Sequence, residues 1–263
     1  MTDILDFQAA RAPLLISVPH AGTALAPGMR DRLTLDGLAR ADTDWFVDRL
    51  YEPCLSLGAG MIVARYSRYV VDLNRPPDDA PLYATSTTGL VPVNTFEGQP
   101  LYRQRVPDGD EIAARLAAFH SPYHERIGDE LKRIRGKHGK AILIDAHSIR
   151  SRVPRLFDGS LPDLNLGSYD GRSAGKALIR RAWRSLSTQP GFSSVLDGRF
   201  KGGYITRHYG RPDQGVHALQ LEMAQRAYMD EDLRQWEDSR AAPVMRALKA
   251  WLADLLEWCD GNG

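Results

Sequence analysis

The chain has 263 residues, 43% of them hydrophobic and 25% charged, a size at which one large domain can bury a substantial core. Lys plus Arg number 34 against 33 Asp plus Glu, so a formal net charge of +1 excludes an overall field that would gather nucleic acid or an acidic membrane surface. There are only two cysteines, Cys54 and Cys259, with no CxxC or zinc-finger spacing, and no run reaches the roughly 18 apolar residues of a membrane span. The expectation is a cytoplasmic protein with reduced thiols, residues 1–263 forming a single domain and no obligate protein partner evident.

The first predicted element is a buried strand over Leu14–Val18, which follows Pro13 and delivers His20 at its C-terminal end. Residues 33–57 carry helical spacing, with Trp45, Leu50 and Cys54 among the apolar positions, until GAG at 58–60 stops the pattern. Strands are expected at about 61–66 and 68–73. From Pro76 to Pro107 the chain is rich in Pro, Thr, Asp and Gly without periodicity, which predicts a long loop region. Residues 109–136 predict an amphipathic helix broken or bent near Pro122, whose nitrogen has no hydrogen to donate. AILIDAHS reads as a buried strand ending at His147, and a basic loop, RSRVPRLFDG, leads through a short strand in DLNLGS to a helix at 173–187. A strand in SSVLDGRF, the glycine-bearing FKGGYITRHYG, the apolar run HALQLEMA and a long C-terminal helical segment complete the chain. Apolar strands alternating with helices predict a three-layer α/β sandwich, its mostly parallel or mixed central sheet flanked by helices. In such sheets the chemistry gathers at the C-terminal ends of the strands.

Polar residues end these apolar strands: His20 after LLISVP, Asp72 to Arg75 after YVV, His147 after AILIDA, and Glu222 within LQLE. Two imidazoles and a carboxylate, with a position left open for water, form a usual ligand set for catalytic zinc, and a metal so held activates water against an amide carbonyl. Glu222 suits the base that takes the proton. A lone histidine at a strand end is more often hydrogen-bonded structure than a ligand, Asp145 also fits merely orienting His147, and Glu222 a paired core carboxylate. For the third ligand the nearest acids are Asp42 and Asp44, at the start of a predicted helical stretch, where either also suits an N-cap. Asp42 is taken as the cap and Asp44 as the ligand. Arginines at 68, 75, 150, 152, 155 and 207 offer planar recognition of carboxylates, and a dicarboxylate needs at least two of them. In GRFKGGYITRHYG the glycine pair permits close backbone approach while Lys201, Tyr204, Arg207 and His208 supply donors, as a substrate loop or a hairpin turn would.

The blocks VPHAG, DTDW, SRYVVDLNRPPDDAPLY, DAHSIRSRVP, FDGSLPDLNLG, GRFKGGYITRHYG and HALQLE resemble the N-formylglutamate deformylases, also called N-formylglutamate amidohydrolases, from about residue 13 to the C-terminal helix. The resemblance implies the fold of the wider zinc carboxypeptidase and aspartoacylase group, one divalent metal (zinc), and hydrolysis of a dicarboxylate, N-formyl-L-glutamate, to L-glutamate and formate in histidine degradation. It further implies His20 and His147 as metal ligands, Glu222 as general base and Arg68 as the group polarising the scissile carbonyl. Asn74 with Arg75 would hold one substrate carboxylate. Beyond the resemblance, Arg207, with Arg152, is expected to hold the other carboxylate, and Tyr204 to supply a further donor to the substrate. The H-x-x-E of the wider group is absent, since Ala21, Gly22 and Thr23 follow His20, so Asp44 stands as the substitute ligand. The rival readings are a deacylase of another N-acyl amino acid and a metal-free carboxylate-binding protein.

Overall fold

The computed structural model describes residues 4–82 and 88–261. Its centre is a seven-stranded mixed sheet in the order β1-β3-β2-β4-β7-β5-β6. The strands are β1 (Leu5–Gln8), β2 (Leu14–Val18), β3 (Gly60–Ala64), β4 (Ala141–Ile149), β5 (Leu164–Gly167), β6 (Ser194–Leu196) and β7 (Val216–Ala224). Strands β3, β2, β4 and β7 run parallel, β1 joins antiparallel at one edge, and β5 pairs antiparallel with β7. The long central pair β4 and β7 is buried almost throughout, as parallel strands covered on both faces must be.

Period-two alternation sorts the side chains of these strands. Ile142, Ile144 and Ala146 of β4 and Leu219, Leu221 and Met223 of β7 join one core cluster, while Ala141, Leu143 and Ala218 join another on the opposite face. The first cluster is closed by α2 (Val47–Tyr51), α5 (Lys176–Ser187) and α7 (Asp238–Asp260). Trp251 of α7 is fully buried and donates its indole N–H to the Ala182 carbonyl of α5 at 3.1 Å, tying these helices together. The second cluster is closed by α4 (Ser121–His138) and α6 (Tyr204–Tyr209). Each fully buried Leu or Ile in these layers contributes about 1.5–3 kcal/mol. Among the described residues, no helix is long and apolar enough to cross a membrane.

Four local expectations are corrected. Residues 33–57 do not form one helix: α1 (Leu35–Ala39) is capped by the Thr34 side chain, α2 is a separate turn, and a 3-10 segment covers Glu52–Leu57. Between α1 and α2, Arg40 and Phe46 adopt left-handed backbone conformations (φ 48° and 62°), which turns the intervening aspartates inward. The 68–73 run is a series of turns rather than a strand, because Ser67, Arg68, Asp72 and Asn74 are engaged inside the protein, while Tyr69 and Val70 fill a small core with Leu33 and Leu101. Near Pro122 the helix is altered rather than broken: α3 (Gly109–Arg115) passes through a π-helical turn at Leu116–His120 into α4, whose second residue is the proline. FKGGYITRHYG is neither loop nor hairpin over its second half, which is α6.

Candidate metal and active site

The C-terminal ends of β2, β4 and β7 lie on the same side of the sheet, and the polar residues carried there converge. The register of β4 on β7 sets Asp145 beside Gln220 and His147 beside Glu222, so four polar side chains extend the face that Leu143 and Ala218 begin. His20 follows β2 by two residues. Gly22 just beyond it packs against the end of β3, where a Cβ would lie 2.5 Å from the Ala64 carbonyl oxygen.

His20, Asp44 and His147 are all buried and each offers one atom to a group whose members lie within 4.8 Å of one another. The facing atoms are Nδ1 of both histidines and Oδ2 of Asp44, at 3.7 Å from His20 and 3.0 Å from His147. The remaining ring nitrogens are held from behind: His20 Nε2 lies 2.8 Å from Asp72 Oδ1, and His147 Nε2 lies 2.8 Å from Asp145 Oδ1. A carboxylate behind each imidazole fixes the ring's orientation and leaves its forward nitrogen able to bind a cation. His20 Nδ1 has no hydrogen-bond partner although it is buried. An orphaned buried nitrogen facing a second imidazole and a carboxylate is a donor set that suits a divalent metal. Asp44 also accepts from the Ser148 backbone N–H at 3.1 Å, and its own N–H donates to the His20 carbonyl, so the irregular segment before α2 is pinned to two strand ends.

Asp42, the alternative acid, takes neither role expected of it. Its carboxylate accepts the Phe96 backbone N–H at 2.8 Å, outside the histidine group, and the helix that follows it, α2, has Phe46 at its N-cap and no side-chain cap.

The electrostatics are those of a dense buried charge cluster. Burial opposes the charge on Asp72, yet the Arg68 guanidinium, His20 and Arg75 hold its carboxyl well below the usual carboxylate range. Burial likewise opposes ionisation of Asp44, but the hydrogen bond with His147 and the nearby His20 ring reverse the balance, leaving its carboxyl far below normal. Burial disfavours the charged form of His147, but Asp145 and Asp44 outweigh it and raise its proton affinity well above that of a free imidazole. At Glu222 burial wins. It pushes the carboxyl up to about 8, with His147 and Arg68 opposing and Asp44 and Asp145 reinforcing.

Beside this cluster lies a cavity bounded by His20, Arg68, Asn74, Arg75 and Glu222 on its polar side and by Phe96, Ile149, Leu156 and Phe200 on its apolar side. Arg68 donates to Asp72 at 2.6 Å and to Asp44 at 3.5 Å, lies over the Phe96 ring, and has a buried Nε without a partner. Asn74 is locked by four contacts: Nδ2 lies 2.8 Å from His147 Nε2 and 3.1 Å from Asp145 Oδ2, while Oδ1 accepts from Ile205 N–H at 2.8 Å and its carbonyl accepts from Tyr204 N–H. Gly203 makes that seat, since a Cβ there would lie 2.4 Å from Asn74 Nδ2.

A sequence model of the N-formylglutamate amidohydrolase family matches residues 12–229. The chain belongs to that family. Two N-formylglutamate deformylases are similar along nearly the whole length: that of Pseudomonas aeruginosa is 51% identical over 258 residues, covering 98% of this chain and 96% of that protein, and that of Pseudomonas putida is 47% identical over 260 residues, covering 98% and 97%. The crystal structure of an N-formylglutamate amidohydrolase from Ralstonia eutropha JMP134 superimposes with a TM-score of 0.84 at 23% identity, covering 97% of this chain and 98% of that one, and so shares the fold.

Not every residue expected at the site lines this cavity. Arg152 is exposed on the loop after β4. Arg207 lies on α6, where it donates to the Leu82 and Gly202 carbonyls and stacks over Tyr169. Tyr204 packs among His120, His124 and His208 instead. Two residues at the site carry roles the sequence did not assign. Asp72, singled out only as a polar residue ending YVV, sits behind His20, and Arg199, from the loop after β6, lines the cavity with no motif to mark it.

Proposed function

We propose that this chain is a metal-dependent deformylase that hydrolyses N-formyl-L-glutamate to L-glutamate and formate, with zinc held by His20, Asp44 and His147. The observation that carries the reaction is the near-full-length likeness to two proteins named N-formylglutamate deformylase, each sharing about half its residues with this chain. The cluster of His20, Asp44 and His147 supports the metal. A divalent ion bound there would supply Lewis acidity, polarising the formyl carbonyl and making water a nucleophile near neutral pH.

The chain's own residues account for the rest. Glu222 faces the cavity from β7 beside His147, and a buried carboxyl whose proton affinity is raised toward neutral can both accept the proton of the attacking water and return it to the departing amine nitrogen. Arg68, fixed by Asp72 and Asp44, presents a permanent positive charge to the oxygen that becomes an oxyanion, a contribution of roughly 3–4 kcal/mol on the scale of single oxyanion donors. Asn74 and Arg75 hold the α-carboxylate, since Asn74 already touches His147 and that carboxylate is the one nearer the scissile bond. The Phe96 and Phe200 side excludes water from the charges inside.

The test is formate release from N-formyl-L-glutamate by the purified protein, set against acetate release from N-acetyl-L-glutamate. Formate release at least tenfold faster supports the reading. Absence of formate with zinc present, or preferred release of acetate, overturns it.

A further inference from the structure

A glutamyl substrate carries a second carboxylate, and the site is already rich in negative charge. Asp44, Asp72, Asp145 and Glu222 are all buried around it, so a dianion entering the cavity needs cationic partners beyond the metal group. The two arginines that sequence reasoning nominated for the second carboxylate, Arg152 and Arg207, do not line the cavity. Arg68 is held between Asp72 and Asp44. Of the arginines on the wall, Arg75 belongs with Asn74 beside the histidines, and Arg199 is the other.

Arg199 is placed by its surroundings. Its Nε donates to the Leu156 carbonyl at 2.6 Å, which fixes the plane of the guanidinium at the cavity edge. Apolar residues share its stretch of the wall: Phe96, Leu156 and Phe200 pack against the small core that contains Ile149. An apolar wall running from the polar cluster to an anchored guanidinium is suited to a short methylene chain that ends in a carboxylate. We propose that Arg199 is a specificity-determining residue, binding the side-chain carboxylate of the substrate while Phe96, Leu156 and Phe200 cover its methylenes. The assignment rests on the deformylase reading above.

The test compares N-formyl-L-glutamate with its neutral isostere N-formyl-L-glutamine, measuring kcat/KM for both in the wild type, Arg199→Met and Arg207→Met. In Arg199→Met the ratio of the two kcat/KM values falls by about 100-fold, the scale of losing one desolvated guanidinium–carboxylate pair, chiefly through KM for the glutamate compound. Arg199→Lys, which keeps the charge without the planar fork, falls between the two. It decides the matter by the same ratio if the methionine variant does not fold. A ratio unchanged in Arg199→Met, or one that falls in Arg207→Met instead, overturns the assignment and leaves the reaction standing. Formate release from neither compound by the wild type would overturn the reaction itself, and this assignment with it.

Discussion

Replacing Asp72 with Asn tests whether the carboxylates behind the histidines build the metal site. Asp72 is completely buried and accepts three hydrogen bonds: from His20 Nε2 at 2.8 Å, from Arg68 at 2.6 Å and from the Asn74 backbone N–H at 2.9 Å. The amide is nearly the same size, so no cavity opens. It cannot accept from both directions, and one face now presents N–H groups to a donor. Arg68 is left buried with Asp44 as its remaining charged partner, and breaking a buried pair in this way costs about 3–5 kcal/mol. At about 2–4 °C per kcal/mol for a chain of this size, the melting temperature of the metal-free protein falls by roughly 10 °C. The His20 ring also loses the anion that orients it, which lowers metal affinity by about 10–100-fold. Competition with a chromophoric chelator reads the affinity and thermal melting reads the stability. Zinc affinity within about twofold of wild type would refute the claim that Asp72 orients a ligand.

Glu222→Gln keeps metal binding but lowers kcat by about 100- to 10,000-fold, because the amide cannot carry the proton; a variant with near wild-type kcat would remove Glu222 from the chemistry. The same variant reports on pH. The folded-state value at Glu222 is raised from 4.5 to about 8, so its contribution to stability is fully present below 4.5 and is lost as pH rises through 8. Chelator-treated wild type should therefore lose stability relative to Glu222→Gln by about 1.4 kcal/mol per pH unit across that window, and parallel urea-denaturation profiles would contradict this. Gly203→Ala drives a methyl group against Asn74, which is held on its other sides by Asp145 and Ile205. The expected cost is about 1–3 kcal/mol of stability with a clear loss in kcat/KM, and an unchanged enzyme would mean that Asn74 does not position substrate. Arg152→Ala leaves kcat/KM unchanged whereas Arg75→Ala raises KM, and the opposite result would reverse the placement of these arginines.

The parts of the site carried by strands were legible because burial leaves a period-two record. In AILIDAHS and HALQLEMA the apolar residues alternate with Asp145, His147, Gln220 and Glu222 near the strand ends, a placement in a covered sheet that is costly unless the polar groups are paired or bind something. Asp44 was harder to place. The spacing around it satisfies a helix, but tertiary contacts with His147 and Ser148 prevail and require left-handed turns at Arg40 and Phe46. Tyr69 to Leu73 looks like a strand for a similar reason: its apolar residues fill core, while Arg68, Asp72 and Asn74 between and beside them serve the site. The arginines around the cavity were the least legible. Whether a guanidinium lines a cavity depends on how distant segments pack, and formation of α6 directs Arg207 to the Leu82 carbonyl while the loop after β6 brings in Arg199.

The central claim is that the His20, Asp44 and His147 cluster holds the metal on which hydrolysis depends. Titrating zinc into the stripped protein while following formate release from N-formyl-L-glutamate tests it most directly. Activity should be absent without metal, return in proportion to zinc and saturate at one ion per chain, and His147→Ala should not recover. Full activity in the stripped protein, or a His147→Ala variant that zinc restores to wild-type turnover, would contradict it.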